Sequence, residues 1–376
     1  MLEKIKKMDG VIVVILVLLM IVSITSIYSV TNGRAGFDGS HLKMLAYYGL
    51  GFIAFIGLSF VDYRLLVKNA LYIYLFGIGL LVLVSFTEGK NGAKGWLELP
   101  GGLSLQPAEL FKLILILFLA ALLVWKNKQR LTFWRDILPL ALITLLPFGV
   151  VISHNDLGNA LSYAIILMGL LWVGNIKYTH ALIGLILIGG SAFAGITSYI
   201  QYHDQAVTFI EDTLGRDHLV NRFDPWLVPD LASKNASYHT KNAKLAIASG
   251  GMVGEGYMEG TSVQAKRVPY TYSDAIFVQI AEEFGFLGSA GVLLLFFILI
   301  HRMIVIALDC KDHGGPFLIV GVVAMLLYQI LENIGAFIGL MPLTGITLPF
   351  ISFGGTSLLI NMASMGIVMS VHLYKN

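Results

Sequence analysis

Asp274 is the residue whose type and position best suit acid–base chemistry. Pro269 and the tyrosines that follow it favour an extended approach, and Thr271 or Ser273 could cap a helix that begins here. Asp274 would then lie at the helix N-terminus, where the helix dipole keeps a carboxylate ionised. An ionised carboxylate can act as a general base toward a hydroxyl group. The competing interpretation is a simple capping role.

An acid and a base three residues apart form a second candidate site. Gln106 to Glu109 open an apolar run, and Lys112 follows on the same face of the predicted helix. Pro107 suits the first helical position and Glu109 suits the first turn. A lysine here opposes the helix dipole, and a charge in hydrocarbon costs at least ~2.5 kcal/mol at mid-depth. We therefore predict a Glu109–Lys112 pair that faces a hydrated cavity, in preference to a capping acid and a snorkelling lysine.

More charged residues flank Asp274. Lys266 and Arg267 precede it, and Glu282 and Glu283 follow two helical turns later. At least one of these glutamates must face a polar cavity or find a partner if the helix enters a membrane.

The composition indicates a membrane protein. Of 376 residues, 57% are hydrophobic and 13% are charged, against about 25% charged in soluble domains. A soluble protein of this size could not hide so much apolar surface. The net charge of +2 gives no indication of nucleic-acid binding. The single cysteine, Cys310, excludes an intrachain disulfide and a zinc site built on paired thiolates.

Ten apolar runs are long enough to cross a bilayer, whose core needs roughly 20 residues per helix. We predict an all-α integral membrane protein in which residues 1–376 form one polytopic domain. The first run follows a lysine-rich start like a signal peptide, but its length and the lack of a cleavage site favour a retained helix. The runs cover residues 11–30, 44–60, 70–86, 107–124, 138–152, 157–173, 179–200, 288–306, 316–340 and 350–372.

Basic residues predict the orientation, because loops rich in lysine and arginine stay cytoplasmic. The cluster from Lys126 to Arg135 is the strongest anchor. If it is cytoplasmic, both termini are cytoplasmic as well, and the long segment 201–273 is a large extracytoplasmic loop between the seventh and eighth spans. The short outer loops then hold only Arg34, Lys43, Lys90 and Lys94.

The segment 201–273 is too long for a simple connector. Asn221–Trp226 is interpreted as a turn, and 238–249 as a short amphipathic helix. The glycines from Gly250 to Gly260 lack the spacing of a dinucleotide-binding fingerprint, so we interpret them as turns with a mobile backbone.

A second irregular stretch, 339–355, separates the last two spans. Its two prolines and several glycines predict a re-entrant connection, which is tolerated at membrane depth only where it is buried in protein or lines a cavity. Gln329, Glu332 and Asn333 share one helical face just before it. Packing and function are equally good interpretations for these three residues.

Short motifs follow one another in a fixed order along essentially the whole chain. They lie at 92–96, 106–109, 156–158, Val268-Pro269 with Asp274, 282–286, 342–345, 349–350 and 354–355. Together these motifs resemble those of the RodA/FtsW proteins, the shape, elongation, division and sporulation family of bacterial wall synthases, and a slight likeness favours the RodA branch. Gly95, Ser273, Thr347 and Phe353 stand where arginine, threonine, proline and tyrosine are usual in this family.

The resemblance implies a peptidoglycan glycosyltransferase of the bacterial cytoplasmic membrane. It would polymerise lipid II, an undecaprenyl-pyrophosphate-linked disaccharide pentapeptide, beside a class B penicillin-binding protein that supplies the transpeptidase. Asp274 would be the essential acid, with Glu109 and Lys112 lining the central cavity. The other candidates for substrate binding are Lys94, Trp96, Lys266, Arg267, Glu282 and Glu283.

This chemistry needs a base for an acceptor sugar hydroxyl and positive charge for the departing pyrophosphate. Asp274 suits the first role. Lys112, Lys94, Lys266 and Arg267 suit the second, and a bound Mg²⁺ or Mn²⁺ would serve the same end.

Two other classes of protein compete with this hypothesis. A lipid II flippase would also show polar residues within spans and a broken helix connection, but it should carry matched interruptions in both halves and a site near the bilayer midplane. A scaffold that only recruits the transpeptidase would tolerate replacement of Asp274. The synthase interpretation is preferred because the motifs match along the whole chain.

Overall fold

The computed structural model describes residues 6–34, 36–87, 95–99, 103–126, 130–213 and 215–375. Within these residues the chain forms fifteen α-helices and one antiparallel hairpin of β1 (Leu97–Leu99) and β2 (Leu103–Leu105). The helices are α1 (Gly10–Thr31), α2 (Ser40–Phe60), α3 (Tyr63–Lys68), α4 (Ala70–Ser85), α5 (Pro107–Trp125), α6 (Leu138–Ser153), α7 (Leu157–Val173), α8 (Tyr178–Gln201), α9 (His203–Thr208), α10 (Asp217–Leu227), α11 (Lys234–Ser249), α12 (Thr261–Gln264), α13 (Ile276–Asp309), α14 (Gly314–Ile338) and α15 (Gly355–Leu373).

Ten of these helices confirm the predicted spans. Eight are long and apolar enough to cross a membrane, counting α6 together with the π-helical turn Phe133–Ile137 that precedes it, and α4 and α7 are shorter apolar helices. The protein is therefore an all-α, multi-pass membrane protein. An α-helix satisfies its own backbone hydrogen bonds, which is why hydropathy alone locates the spans so well.

Three helices form the interior of the bundle. Most side chains of α5, α14 and α15 are buried, and these three helices pack on one another. In contrast, α8 is peripheral, and Tyr199 near its end is its one buried residue. The polar residues of α5 and α14 therefore lie inside protein and away from lipid.

The helix α13 is kinked where the predicted eighth span begins. It starts at Ile276, well before the apolar run 288–306, and Gly285 has a left-handed φ of 62°. The backbone groups on both sides of the kink bond to the segment 251–256: the Phe286 N–H donates to Gly251 O over 2.9 Å, and Glu282 O accepts from the Glu255 N–H over 2.9 Å. The loop thus supplies the partners that the kinked helix cannot provide for itself.

The glycines of this loop form turns, as predicted, and several of them pack closely against α13, while the mobility of the backbone stays a prediction. A Cβ atom at Gly254 would collide with the main chain of Glu283, and Gly254 has a φ of 86° that favours glycine. The predicted turn at Asn221–Trp226 is wrong, because this stretch lies within α10 despite Pro225. The predicted amphipathic helix at 238–249 is confirmed as part of α11.

The connection between α14 and α15 is irregular, as predicted, and largely buried. Ile346, Leu348 and Ile351 are almost fully inaccessible. Neighbouring helices satisfy its carbonyl groups: the Ser23 hydroxyl donates to Ile351 O over 2.7 Å, and the Tyr48 hydroxyl donates to Phe350 O. These contacts explain how a non-helical segment can persist inside the bundle.

Candidate active site

Asp274 lies in the turn directly before α13. The helix begins at Ile276, with Ala275 as its N-cap and no side-chain cap. The expected capping by Thr271 or Ser273 is therefore wrong, and Asp274 stands one residue outside the cap. Its carboxylate faces the connection before α15, since a Cβ atom at Gly345 would lie 3.5 Å from Asp274 Oδ2.

Arg222 of α10 is the cation whose charge acts on Asp274 in the folded protein, and no local pattern in the sequence indicated it. The charges of Asp156, Glu332 and Asp274 all act on its guanidinium. One of its terminal nitrogens, Nη1, is buried without a hydrogen-bond partner among the described residues. An arginine with a free buried donor can bind a further anionic group. Arg222 lies in the segment Asn221–Trp226, which was predicted to be a turn, so the sequence did not suggest that it could bind an anion.

The environment of Asp274 weakens its acidity. Burial raises the pKa of the Asp274 carboxyl to about 6, although a hydrogen bond from Ser273 and the charge of Arg222 act in the opposite direction. A carboxylate with a pKa near 6 is ionised at neutral pH and is a stronger base than an ordinary aspartate.

The helix α14 fixes both Asp274 and the irregular connection. Asn333 Nδ2 donates to the main-chain oxygens of Asp274 and Ile346, each over 2.7 Å. Glu332 accepts hydrogen bonds from the backbone N–H of Thr344, over 3.2 Å, and from its hydroxyl. Two of the three polar residues on this helical face thus build the site.

Asp156 joins the starts of α5 and α7. Its carboxylate accepts from Gln106 Nε2 over 2.9 Å and from the side-chain and backbone nitrogens of Asn159 over 2.9 and 3.1 Å. Gln106 is the N-cap residue of α5, the helix that carries Glu109 and Lys112. The hydrogen bond from Gln106 to Asp156 therefore connects the helix of the predicted Glu109–Lys112 pair to one of the carboxylates that act on Arg222.

Glu109 and Lys112 form the predicted pair. Lys112 Nζ lies 2.7 Å from Glu109 Oε2, with Pro107 at the first helical position as expected. Both side chains are buried, Lys112 with 0% and Glu109 with 4% of its surface exposed. The ammonium group has no further hydrogen-bond partner in the part of the chain that the structure describes, so two of its three donors are available.

Other buried polar atoms without a partner lie on the same group of helices. Asn159 Oδ1 on α7, both amide atoms of Gln329 on α14 and Asn361 Oδ1 on α15 are buried and unbonded within the described residues. Since α5 and α14 pack on one another and each contacts α7 and α15, these atoms and Lys112 all lie on helices in mutual contact. Buried polar atoms are nearly always bonded, so such a concentration is typical of a binding or catalytic interior.

Glu282 and Glu283 are occupied by the protein itself. The Glu282 carboxylate accepts the backbone N–H groups of Ser262 and Val263 over 2.7 and 2.9 Å. Glu283 accepts from Ser29 Oγ over 2.5 Å and from Gln279 Nε2 over 2.7 Å. Both therefore find partners, as the sequence required. Glu282 holds the loop before Asp274 against α13, and Glu283 joins α13 to α1.

The structure places the remaining predicted binding residues in different settings. Trp96 precedes β1 and exposes 37% of its surface. Lys266 and Arg267 are exposed on the segment before Asp274, and neither side chain makes an ion pair within the described residues. Lys94 lies outside the described residues. The substrate-binding roles of all four residues stay predictions.

The space beside Arg222 is small. Arg222, Thr240 and Lys244 line a cavity of about 10 Å³ with the segment 339–343, which is room for about one water molecule. Nowhere in the described ranges do three His, Cys, Asp or Glu side chains converge as a metal site. A bound Mg²⁺ or Mn²⁺ stays a prediction, since Mg²⁺ usually takes only one or two carboxylates from the protein together with phosphate oxygens and water.

Comparisons with known proteins agree with this architecture. The family model described as "Cell cycle protein", which covers FtsW, RodA and SpoVE, matches residues 7–376. The stage V sporulation protein E of Bacillus subtilis is 32% identical over 337 residues, which cover 89% of this chain and 87% of that protein. The peptidoglycan glycosyltransferase MrdB of Escherichia coli is 29% identical over 342 residues, with 89% and 85% covered.

Solved structures show the same fold. A chain of a peptidoglycan synthase complex that coordinates polymerisation and crosslinking has a TM-score of 0.77 and 27% identity, over 98% of this chain and 99% of that one. The rod shape determining protein RodA of Thermus thermophilus has a TM-score of 0.70 and 26% identity, with 98% and 97% covered. This chain therefore belongs to the FtsW/RodA/SpoVE family.

Proposed function

We propose that this protein is a peptidoglycan glycosyltransferase that polymerises lipid II at the outer face of the bacterial cytoplasmic membrane. The observation that carries the proposal is the placement of Asp274, which Asn333 holds before α13 and whose carboxylate faces the connection before α15. The charge of Arg222 acts on this carboxylate, so a base and a cation are combined at one end of a membrane bundle. Glycan extension from a lipid diphosphate requires both groups, and it requires them at the membrane surface.

Asp274 acts as the general base. Its carboxylate takes the proton from a sugar hydroxyl of the acceptor while that oxygen attacks the anomeric carbon of the donor. The bond from the anomeric carbon to the diphosphate oxygen breaks, and its electron pair leaves with the lipid diphosphate. A positioned base contributes about 10²–10⁴-fold to such a step.

Arg222 stabilises the negative charge that develops on the leaving diphosphate. Its unpartnered Nη1 can donate to a phosphate oxygen, and Lys244 lines the same cavity. The planar guanidinium suits phosphate oxygens because it can donate two parallel hydrogen bonds. A Mg²⁺ or Mn²⁺ ion at this site would have to share its ligands with the diphosphate.

The site must open to admit its substrate. The cavity beside Arg222 holds about 10 Å³, far less than the roughly 300 Å³ or more of small-molecule sites. Because α10 and α11 supply Arg222 and Lys244, we propose that these two helices move away from the segment 339–343 when the donor binds.

The orientation and the partner follow from the same hypothesis. The even number of spans places both termini on one side, opposite Asp274, and the positive-inside rule makes that side cytoplasmic. Asp274 then faces the compartment where the cell wall is built. A class B penicillin-binding protein would crosslink the product there, and one similar structure comes from a complex that coordinates polymerisation and crosslinking.

The test is polymerisation by the purified chain. The protein in detergent is supplied with fluorescent lipid II, with and without a class B penicillin-binding protein, and the products are separated by gel electrophoresis. Glycan polymer is expected from the wild type and none from the Asp274→Asn variant. If the wild type makes no polymer in either condition, but transfers lipid II across the bilayer of reconstituted vesicles, the protein is a flippase and the proposal fails.

A further inference from the structure

A second cavity lies at the opposite end of the bundle from Asp274. It has a volume of about 490 Å³ and is formed where the chain enters α6 and where α7 turns into α8, with Arg130 and Lys177 among its lining residues. Its size is within the range of small-molecule sites, about 300–1,000 Å³. Both turns connect spans on the side of the membrane that carries the termini.

The backbone of this cavity is ordered by specific contacts. Leu131 and Ile176 form an isolated parallel β-bridge, and the Leu131 N–H donates to Asn175 O over 3.3 Å. Asn175 itself adopts a left-handed conformation with a φ of 67°. The turn between α7 and α8 is therefore held against Leu131, which lies at the start of the segment that leads into α6. These contacts set the shape of the cavity between the two segments.

The charge of the cavity is positive and uncompensated. Arg130 and Lys177 line it, and in the part of the chain that the structure describes no aspartate or glutamate is among its lining residues. The acid that follows Arg130 in sequence, Asp136, is already paired with Lys126 Nζ over 2.5 Å and accepts from Thr132. Lys177 is also the N-cap residue of α8, where the helix dipole adds to the positive potential.

The rim of the cavity has the character of a membrane interface. Trp172 and Tyr178 line it in an edge-to-face contact with ring centroids 6.2 Å apart, and they expose 64% and 82% of their surfaces. Such aromatic residues mark the headgroup level of a bilayer. Directly beyond the rim, α8 presents exposed apolar side chains such as Leu182 and Ile186. Cations at the headgroup level above an apolar helix surface match a lipid better than a soluble anion.

We propose that this cavity binds the phosphate headgroup of an anionic phospholipid from the leaflet on the side of the termini. Arg130 and Lys177 contact the phosphodiester, Trp172 and Tyr178 flank the glycerol region, and the acyl chains lie along α7 and α8. This site is separate from glycosyl transfer, and its test measures lipid binding alone.

The experiment uses the purified full chain in a neutral detergent. Bound lipid is counted by native mass spectrometry during titration with dioleoylphosphatidylglycerol or dioleoylphosphatidylcholine. The wild type should bind the anionic lipid preferentially. The Arg130→Gln/Lys177→Gln variant should bind it roughly thirtyfold more weakly, because each cation near an anionic headgroup is worth about a fivefold change in affinity.

Two further variants separate the cavity from its charge. Thr179→Trp fills the cavity but keeps both cations, and it should also lose the preferential binding. Lys68→Gln/Lys311→Gln removes two exposed cations from the same side of the protein and should bind like the wild type. The proposal is overturned if the Lys68→Gln/Lys311→Gln control loses as much affinity as Arg130→Gln/Lys177→Gln. It is also overturned if Thr179→Trp binds the anionic lipid like the wild type, or if the wild type binds both lipids equally. Displacement of the lipid by millimolar inorganic phosphate would overturn it as well, since the site would then select a soluble anion.

Discussion

The side-chain nitrogen of Asn333 lies 2.7 Å from the main-chain oxygen of Asp274, and this bond ties the proposed base to the centre of the bundle. The same nitrogen donates to Ile346 O over 2.7 Å. One amide therefore fixes the turn before α13 and the irregular connection before α15 relative to each other. Because Asn333 touches only main-chain atoms of the Asp274 turn, it is a positioning residue.

Replacement of Asn333 by alanine should lower kcat by roughly a hundredfold, the effect of a misplacement of about 1 Å at a reacting group. The KM for lipid II should change little, and the pH dependence should keep its acid limb, because the Asp274 carboxylate keeps its charge partners. Steady-state polymerisation measures all three quantities. Asn69→Ala, at an exposed turn before α4, is the matched control and should behave like the wild type. An unchanged kcat for Asn333→Ala would show that the bond does not position the base.

Replacement of Asp274 by asparagine should abolish polymerisation and leave lipid II binding intact, because the charge acts only in the transition state. The variant should be as stable as the wild type or more so at pH 7. The pKa of Asp274 is raised by burial to about 6, so its ionised form costs folding free energy once the pH rises above the ordinary value of about 4. The difference in melting temperature should vanish below pH 4.

The control for this experiment is Asp230→Asn, which removes an exposed aspartate from the same long connection. It should retain both activity and stability. Robust polymerisation by a folded Asp274→Asn protein would eliminate Asp274 as the base.

The raised pKa of Asp274 also predicts the pH dependence of the reaction. Since protonation removes the base, kcat/KM should fall about tenfold for each pH unit below a pKa of about 6. Arg222→Gln removes a positive charge that lowers the pKa of Asp274, so the acid limb should move to higher pH, together with a loss of rate. Lys234→Gln, an exposed cation at the start of α11, should leave the limb in place. If kcat/KM of Arg222→Gln falls at the same pH as that of the wild type, the charge of Arg222 does not lower the pKa of Asp274.

The Glu109–Lys112 pair should respond differently to single and double replacement. Either single variant, Glu109→Gln or Lys112→Met, leaves a buried charge without its partner and should destabilise the protein by about 3–5 kcal/mol. The double variant removes both charges and should recover most of this stability. Its polymerisation should nevertheless stay low, because the buried ammonium group is missing. Thermal unfolding and polymerisation are measured on the same samples. A double variant with wild-type activity would assign the pair a purely structural role.

The proposed orientation predicts which cysteines can be labelled in intact cells. In a Cys310→Ser background, Ser233→Cys on the long connection should react with a membrane-impermeant thiol reagent, and Lys177→Cys at the start of α8 should be protected. Both positions are exposed on the protein, so protection would reflect the membrane side. After cell lysis, both should react. Labelling of Lys177→Cys from outside would reverse the topology and place Asp274 in the cytoplasm.

The sequence by itself determined the membrane architecture. The ten spans and the helical start at Pro107 both depend on local properties, namely apolar length and the residues at helix ends. Glu109 and Lys112 could be paired for the same reason, because a separation of three residues puts them on one helical face. In a bilayer each span must form all of its backbone hydrogen bonds within its own helix, so local sequence properties are especially informative there.

Only the tertiary structure decided which polar groups meet. The charge of Arg222 acts on Asp274 although the two residues are far apart in sequence, and nothing local in a segment that resembles a turn indicates this interaction. The structure shows that the Glu282 carboxylate binds the loop before Asp274 and that the Glu283 carboxylate binds Ser29 of α1, and neither contact follows from the sequence. Asn333 positions the Asp274 turn through a hydrogen bond to the main-chain oxygen of Asp274, a residue that is distant in sequence. Such contacts depend on how the helices and their long connections pack, and apolar periodicity sets the length of a helix but not its neighbours.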